Sequence, residues 1–205
     1  MFSGLTTTEI IMLFVALLVS VVLHELMHGV AAYWLGDDTA ASAGRLTLNP
    51  LASVDPLTTV ILPFILIVTA GVPFFAAKPV PFNPDRVRGG EYGAALVGLA
   101  GPLTNFALAV VGALVFRVSA GTVQDAAYIF TIVNVGLAVF NLIPFPPLDG
   151  SRLLYAFAPE PIQRAMAAIE QMGFIVVLIF ILVIFQFIAP VISNIDNSIT
   201  TFLLG

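Results

Sequence analysis

The chain has no cysteine, one lysine (Lys78) and two histidines among 205 residues, and only 9% of its residues are charged. Each shortage excludes something. Without cysteine there is no disulfide framework, no thiolate metal site and no cysteine nucleophile, so any metal must be held by His, Asp or Glu. Seven basic residues without a basic run, at a net charge of −5, leave no electrostatic footprint for nucleic acid. A soluble domain would carry about one quarter charged residues. With 60% hydrophobic residues and a mean hydropathy of +1.07, this chain reads as an integral membrane protein surrounded by a lipid bilayer.

The apolar runs place four spanning helices, at about 9–35, 93–118, 125–144 and 171–193. They are marked by length, roughly the 20 residues that cross about 30 Å of hydrocarbon. A fifth stretch, 57–77, carries Pro63, Gly71 and Pro73, and so is read as dipping in and returning, with a full crossing as the alternative. The polar connections are short, which makes residues 1–205 a single membrane domain. The first 35 residues lack a basic start and run on past any cleavage site, so they are read as mature protein. The expected fold is an all-α polytopic bundle of four to five transmembrane helices, with a re-entrant segment and a short extended edge.

One ionisable residue inside a span is a functional candidate by default, and "VVLHELMHGV" (21–30) holds three. The spacing is His-Glu-x-x-His. Residues i and i+4 share a helix face, so His24 and His28 can offer two imidazole nitrogens to one zinc ion, while Glu25 sits beside them, free to hold a proton. The plain alternative is a pair of polar residues tolerated at a helix contact, but both histidines of the chain fall in this motif. Zinc at a catalytic site takes a third protein ligand and leaves the fourth position for water. Asp149, in "FNLIPFPPLDGSRLL" (140–154), is a candidate. It also suits an ordinary Asp-Gly turn, but it follows a helix broken by Pro144, Pro146 and Pro147, and unwound backbone at membrane depth is tolerated where it lines a cavity.

"HELMH", "AGPLTN" (100–105) and "FNLIPFPPLDG" (140–150), in that order, resemble the site-2 protease family of intramembrane zinc metalloproteases over residues 15–155. The resemblance implies one zinc per chain, Asp149 as third ligand, Glu25 as the catalytic residue, and cleavage of the transmembrane segment of a membrane-anchored protein substrate. Asn141 matches the position proposed to hold substrate or the developing oxyanion. Asn105 is assigned a role at the site, including donation to the oxyanion. Asn134 is read as an interhelical hydrogen bond, the usual fate of a buried amide in lipid. No segment here is long enough for the PDZ or cystathionine-synthase-type domains of many members. A substrate unwound for cleavage would suit strand addition along 42–50 or the proline-rich segment that begins near Lys78.

Since His24, His28 and Asp149 must meet, the C-terminal ends of helices 9–35 and 125–144 point to one side. If 57–77 returns, Arg45, Lys78, Arg86, Arg88, Arg152 and Arg164 fall on that side and Arg117 alone on the other. The positive-inside rule then places the site nearer the cytoplasmic side of the cell membrane. Two alternatives to a protease stay open: a zinc transporter or sensor using the same ligands, and an inactive relative acting as a binding partner. Oligomeric state is not legible in the sequence.

Overall fold

The computed structural model describes residues 6–53 and 78–205. In chain order its helices are α1 (Thr7–Trp34), α2 (Thr39–Ser42), α3 (Gly90–Val118), α4 (Thr122–Asn141), α5 (Gly150–Phe157), α6 (Glu160–Gln171), α7 (Phe174–Ile179) and α8 (Phe185–Leu204), with a π-helical turn at Phe180–Ile184 joining the last two. No strand occurs among the described residues. Four helical stretches there are long and apolar enough to cross a membrane: α1, α3, α4 and Ile175–Leu204. This is an all-α multi-pass membrane protein.

α1, α3 and α4 form the centre of the bundle, and they pack closely because their contact faces are small. Ala16, Ala32, Ala94, Ala95, Ala109, Ala113, Ala127 and Ala138 are all buried. At Gly112 a Cβ would stand 2.6 Å from Thr131 Oγ1. Lipid gives no hydrophobic drive between helices, so such close backbone approach is what supplies contact energy. The large side chains point outward: Ile11, Phe14, Leu103, Leu114 and Phe187 are exposed, as befits a lipid-facing surface. Thr6 and Glu9 start α1 with a reciprocal capping box, Thr6 N–H to Glu9 Oε2 at 2.7 Å and Glu9 N–H to Thr6 Oγ1 at 3.3 Å.

α4 ends at Asn141, three residues before the expected boundary, and the chain turns through 142–149 before α5 begins. This turn is tight. A Cβ at Gly150 would stand 2.5 Å from the carbonyl carbon of Leu142. α5 then runs back along the first turns of α3, with the Tyr92 and Phe157 rings in edge contact at 5.5 Å and Gly98 making room for Arg152. The break thus packs against α3, with Ile143 and Pro146 buried while Pro144 and Pro147 stay exposed.

Two sequence expectations differ from the structure. The stretch 42–50 is not an extended edge: α2 covers its start, Gly44 (φ 66°) turns the chain, and the amides of Arg45 and Thr47 bond to the nearby carbonyls of Ala40 and Arg45. Asn49 N–H donates to Thr47 Oγ1 and Leu51 N–H to Asn49 Oδ1, both at 3.1 Å. Local side-chain bonding of this kind competes with sheet pairing. The last span does not stop at 193 but continues to Leu204. Its polar run 193–201 stays helical because Ile192, Ile199 and Leu203 pack on Ala109, Val135 and Val139. The polar side chains turn back on their own helix, as when Ser198 Oγ donates to Asn194 O at 2.7 Å. The segment 57–77, expected to be re-entrant, lies outside the described residues.

The residues flanking that segment sit at one end of the bundle. Asp37 is fully buried and accepts from Thr39 N–H (3.0 Å), Thr39 Oγ1–H and Asn83 N–H (2.6 Å). Arg88 N–H donates to Leu35 O at 2.8 Å, and Arg45 Nη2 to Lys78 O at 2.9 Å. Burial opposes ionisation of Asp37, yet the bonds from Thr39 and Asn83, helped by Arg86, hold its carboxyl below the usual carboxylate range. Asp37→Ala strands these donors and is expected to cost about 1–3 kcal/mol, read as a lowered unfolding midpoint in detergent. An unchanged midpoint would show that the 37–39 turn does not hold the 78–88 segment.

Candidate metal centre

The HELMH turn of α1 directs His24 and His28 inward, where both are buried. Their Nε2 atoms lie 3.0 Å apart. Asp149, delivered by the break after α4, places Oδ2 at 3.1 Å from His24 Nε2 and 3.3 Å from His28 Nε2. In a tetrahedral site with bonds of about 2.0–2.1 Å, ligand atoms stand about 3.3 Å apart. The three atoms thus form one face of such a site, and they are the group of described residues able to hold a metal ion.

The outer nitrogens show why this triangle suits a cation. His28 Nδ1 is 2.7 Å from the Val97 carbonyl, which can only accept, so in the neutral ring Nδ1 carries the proton and Nε2 is bare. His24 Nδ1 is 2.5 Å from Asn105 Oδ1, which fixes the same arrangement there. Asp149 Oδ2 is buried and has no donor facing it. With both rings neutral, three lone pairs converge on one point, and outer-shell bonding of this kind orients metal-ligating imidazoles.

α3 provides the space. A Cβ at Gly101 would stand 2.5 Å from His24 Cε1 and 2.6 Å from His24 Nε2, and would also press on His28 Nε2. The next residue, Pro102, cannot donate to the carbonyl four residues back, which leaves this turn of α3 one backbone bond short beside the Val97 carbonyl that holds His28. The site is deep. His24 is about ten residues from the end of α1 and Gly101 about eleven from the start of α3, both about 15 Å along the helix at 1.5 Å per residue.

Residues 117–185 match peptidase family M50. The chain is 39% identical over 178 residues to "Putative zinc metalloprotease YwhC" of Bacillus subtilis, covering 82% of this chain and 78% of that protein. The chain belongs to peptidase family M50, the site-2 protease family. It is also 32% identical to "Putative zinc metalloprotease MJ0611" of Methanocaldococcus jannaschii, over 83% of each chain. With "Putative zinc metalloprotease Rip2" of Mycobacterium tuberculosis strain H37Rv it shares 31% identity, over 90% of this chain and 69% of that one. Among solved structures, none matches the chain. As an M50 protein it is a zinc metalloprotease, and His24, His28 and Asp149 are the group that fits the ion.

The other residues singled out in the M50 motifs take distinct places. Glu25, half-buried beside the ligands, receives the Val80 N–H at 2.9 Å on Oε2. Val80 lies between Pro79 and Pro81, neither of which has an N–H, so this amide is the single donor of that tripeptide. Asn141 donates from Nδ2 to Leu137 O at 2.9 Å, at the last residue of α4. Asn105 is fully buried, with Oδ1 on His24 and Nδ2 on Asn134 at 2.9 Å. Fully buried between His24 and Asn134, it faces the ligand shell rather than open space for an oxyanion. The Val80 amide and the room at Gly101 escaped sequence reasoning. The signal for Gly101 was present in AGPLTN, whose glycine and asparagine both turn out to face the histidines.

Proposed function

We propose that this protein is an intramembrane endopeptidase that hydrolyses peptide bonds within or near the transmembrane segment of membrane-anchored protein substrates. The observation that carries this is the convergence of three bare ligand atoms within 3.3 Å, beside a carboxylate outside the triad, about 15 Å along spanning helices. When bound there, zinc supplies Lewis acidity, polarising the scissile carbonyl and bringing the pKa of its water toward 7. Glu25 would hold the proton released by the attacking water and pass it to the leaving amine. The Val80 N–H holds Oε2, so the carboxylate turns its other oxygen to the proton. Asn141, with one amide hydrogen used on Leu137, has a second for the developing oxyanion. Asp149 is the most open of the ligands, its side chain 23% exposed against 8% and 11% for the histidines, and water enters from its side.

Purified protein incubated with a library of single-span substrates tests the reading. Zinc at about one per chain with cleavage inside a span supports it. Zinc without cleavage of any span, or transport of the ion into vesicles, would overturn it in favour of a sensor or transporter.

The orientation is part of the same proposal. Arg45, Lys78, Arg86, Arg88, Arg152 and Arg164 belong to segments at the metal end, whereas Arg117 lies at the other end, donating to Leu203 O at 2.9 and 3.2 Å. By the positive-inside rule the metal end faces the cytoplasm. Single cysteines introduced at Ser42 and Asp85 are expected to react with an impermeant thiol reagent only from the cytoplasmic face, and one at Gly121 only from outside. Labelling of Gly121 from the cytoplasm would reverse the orientation.

A further inference from the structure

Behind His24 a chain of side-chain hydrogen bonds runs from α1 through α3 and α4 and back to α1. His24 on α1 meets Asn105 on α3 (2.5 Å), Asn105 meets Asn134 on α4 (2.9 Å), and Asn134 meets Ser20 on α1 (2.8 Å), one turn before His24. Asn105, Asn134 and Ser20 are fully buried and His24 nearly so. An isolated interhelical bond would need two of these groups. Four groups joined in one chain that ends on a metal ligand make a more specific arrangement.

The direction of every bond follows from one group. Asn134 has a second contact, 2.9 Å from the carbonyl of Phe130 on its own helix. A main-chain carbonyl only accepts, so the Asn134 atom facing it is the NH2, whose two hydrogens go to Phe130 O and Ser20 Oγ. Asn134 Oδ1 is then the atom facing Asn105, and it requires a donor there. Asn105 must present its NH2 to Asn134 and its oxygen to His24. That oxygen in turn requires His24 to carry its proton on Nδ1, leaving Nε2 bare toward Asp149. Were Asn134 turned over, each later group would reverse and the proton would move to the nitrogen that faces the metal site.

We propose that Asn134, which touches no metal ligand, is a positioning residue that sets the tautomer of His24 through Asn105. The Phe130 carbonyl is the fixed reference of the relay. His28 is independent of it, since its Nδ1 proton is held directly by Val97 O. The proposal concerns the site assigned above to zinc, but its decisive measurement needs neither metal nor substrate, so it can fail while the protease reading stands, and the reverse.

The experiment uses the scarcity of histidine. With two in the chain, full-length protein labelled with 15N in the imidazole rings has four ring nitrogens, assigned with a His28→Gln variant. Metal-free protein, at a pH where the rings are neutral, is expected to show a protonated Nδ1 and a bare Nε2 for both residues. Asn134→Leu removes the acceptor for Asn105, which is then free to turn over. His24 is expected to become a mixture of tautomers while His28 keeps its wild-type signals, which also reports that the fold is retained. Asn134→Asp keeps an oxygen toward Asn105 and should restore the His24 signals. Zinc affinity, measured by competition with a chelator, should fall about 10- to 100-fold in Asn134→Leu, the scale of outer-shell losses, and recover in the aspartate variant. A single wild-type tautomer at His24 in Asn134→Leu would overturn the proposal, as would equal changes at both histidines. So would a wild-type His24 protonated on Nε2, a result that needs no variant at all.

Discussion

Glu25→Gln is expected to retain zinc and fold while losing cleavage of a membrane-anchored substrate by at least about a hundredfold, the usual scale of general-base loss. The amide has nearly the shape of the carboxylate and still offers an oxygen to the Val80 N–H at the position where Glu25 Oε2 stands. The triad His24, His28 and Asp149 is untouched, so the metal stays. What is lost is the basic oxygen that takes a proton from water. Metal content, helical circular dichroism and cleavage rate should be measured on one preparation, because only their combination separates chemistry from folding. Full activity with normal zinc would remove Glu25 from the mechanism and bring back the reading of the same ligands as a transport or sensing site.

How far the site was legible in sequence depends on the range of the interactions that build it. His24, Glu25 and His28 lie within one helical turn, where spacing alone fixes which groups share a face. Asp149 was a candidate whose assignment as a ligand needed the resemblance, since an Asp-Gly pair has an ordinary turn reading; in the structure the break at 142–149 brings its oxygen to both imidazoles. Asn134 was legible as an interhelical hydrogen bond, and it makes two; its link through Asn105 to His24 was out of reach, because it rests on which atom of each amide faces which helix. The expected extended edge at 42–50 and the early end of the last span have a common cause. In both, polar side chains bond to nearby backbone: Thr47 and Asn49 hold the amides of Asn49 and Leu51 away from strand pairing, and Ser198 bonds within a helix that continues.

Gly101→Ala tests the geometry of the centre without altering any ligand. The added methyl would meet His24 Nε2 at 2.6 Å and His24 Cε1 at 2.5 Å, with His28 Nε2 in the same space. Contacts below 3.0 Å force something to move. α3 cannot withdraw easily, since Ala94, Ala95 and Val97 are buried on the same helix. The rings are also held from behind, by Asn105 and by the Val97 carbonyl. The methyl therefore occupies the face on which the three lone pairs converge. Zinc is expected to be lost at concentrations that saturate the wild type, and proteolysis with it, even though His24, Glu25, His28 and Asp149 are all present. Gly136→Ala is the matched control: it lies in α4, and a Cβ there meets nothing within 4 Å. That substitution should leave zinc and activity unchanged and gain about 0.5–1 kcal/mol, as alanine does over glycine inside a helix. Zinc binding by Gly101→Ala with wild-type affinity would mean that the ion does not sit between the two imidazoles and α3. The arrangement of ligands would then have to open away from Gly101, toward the more exposed Asp149.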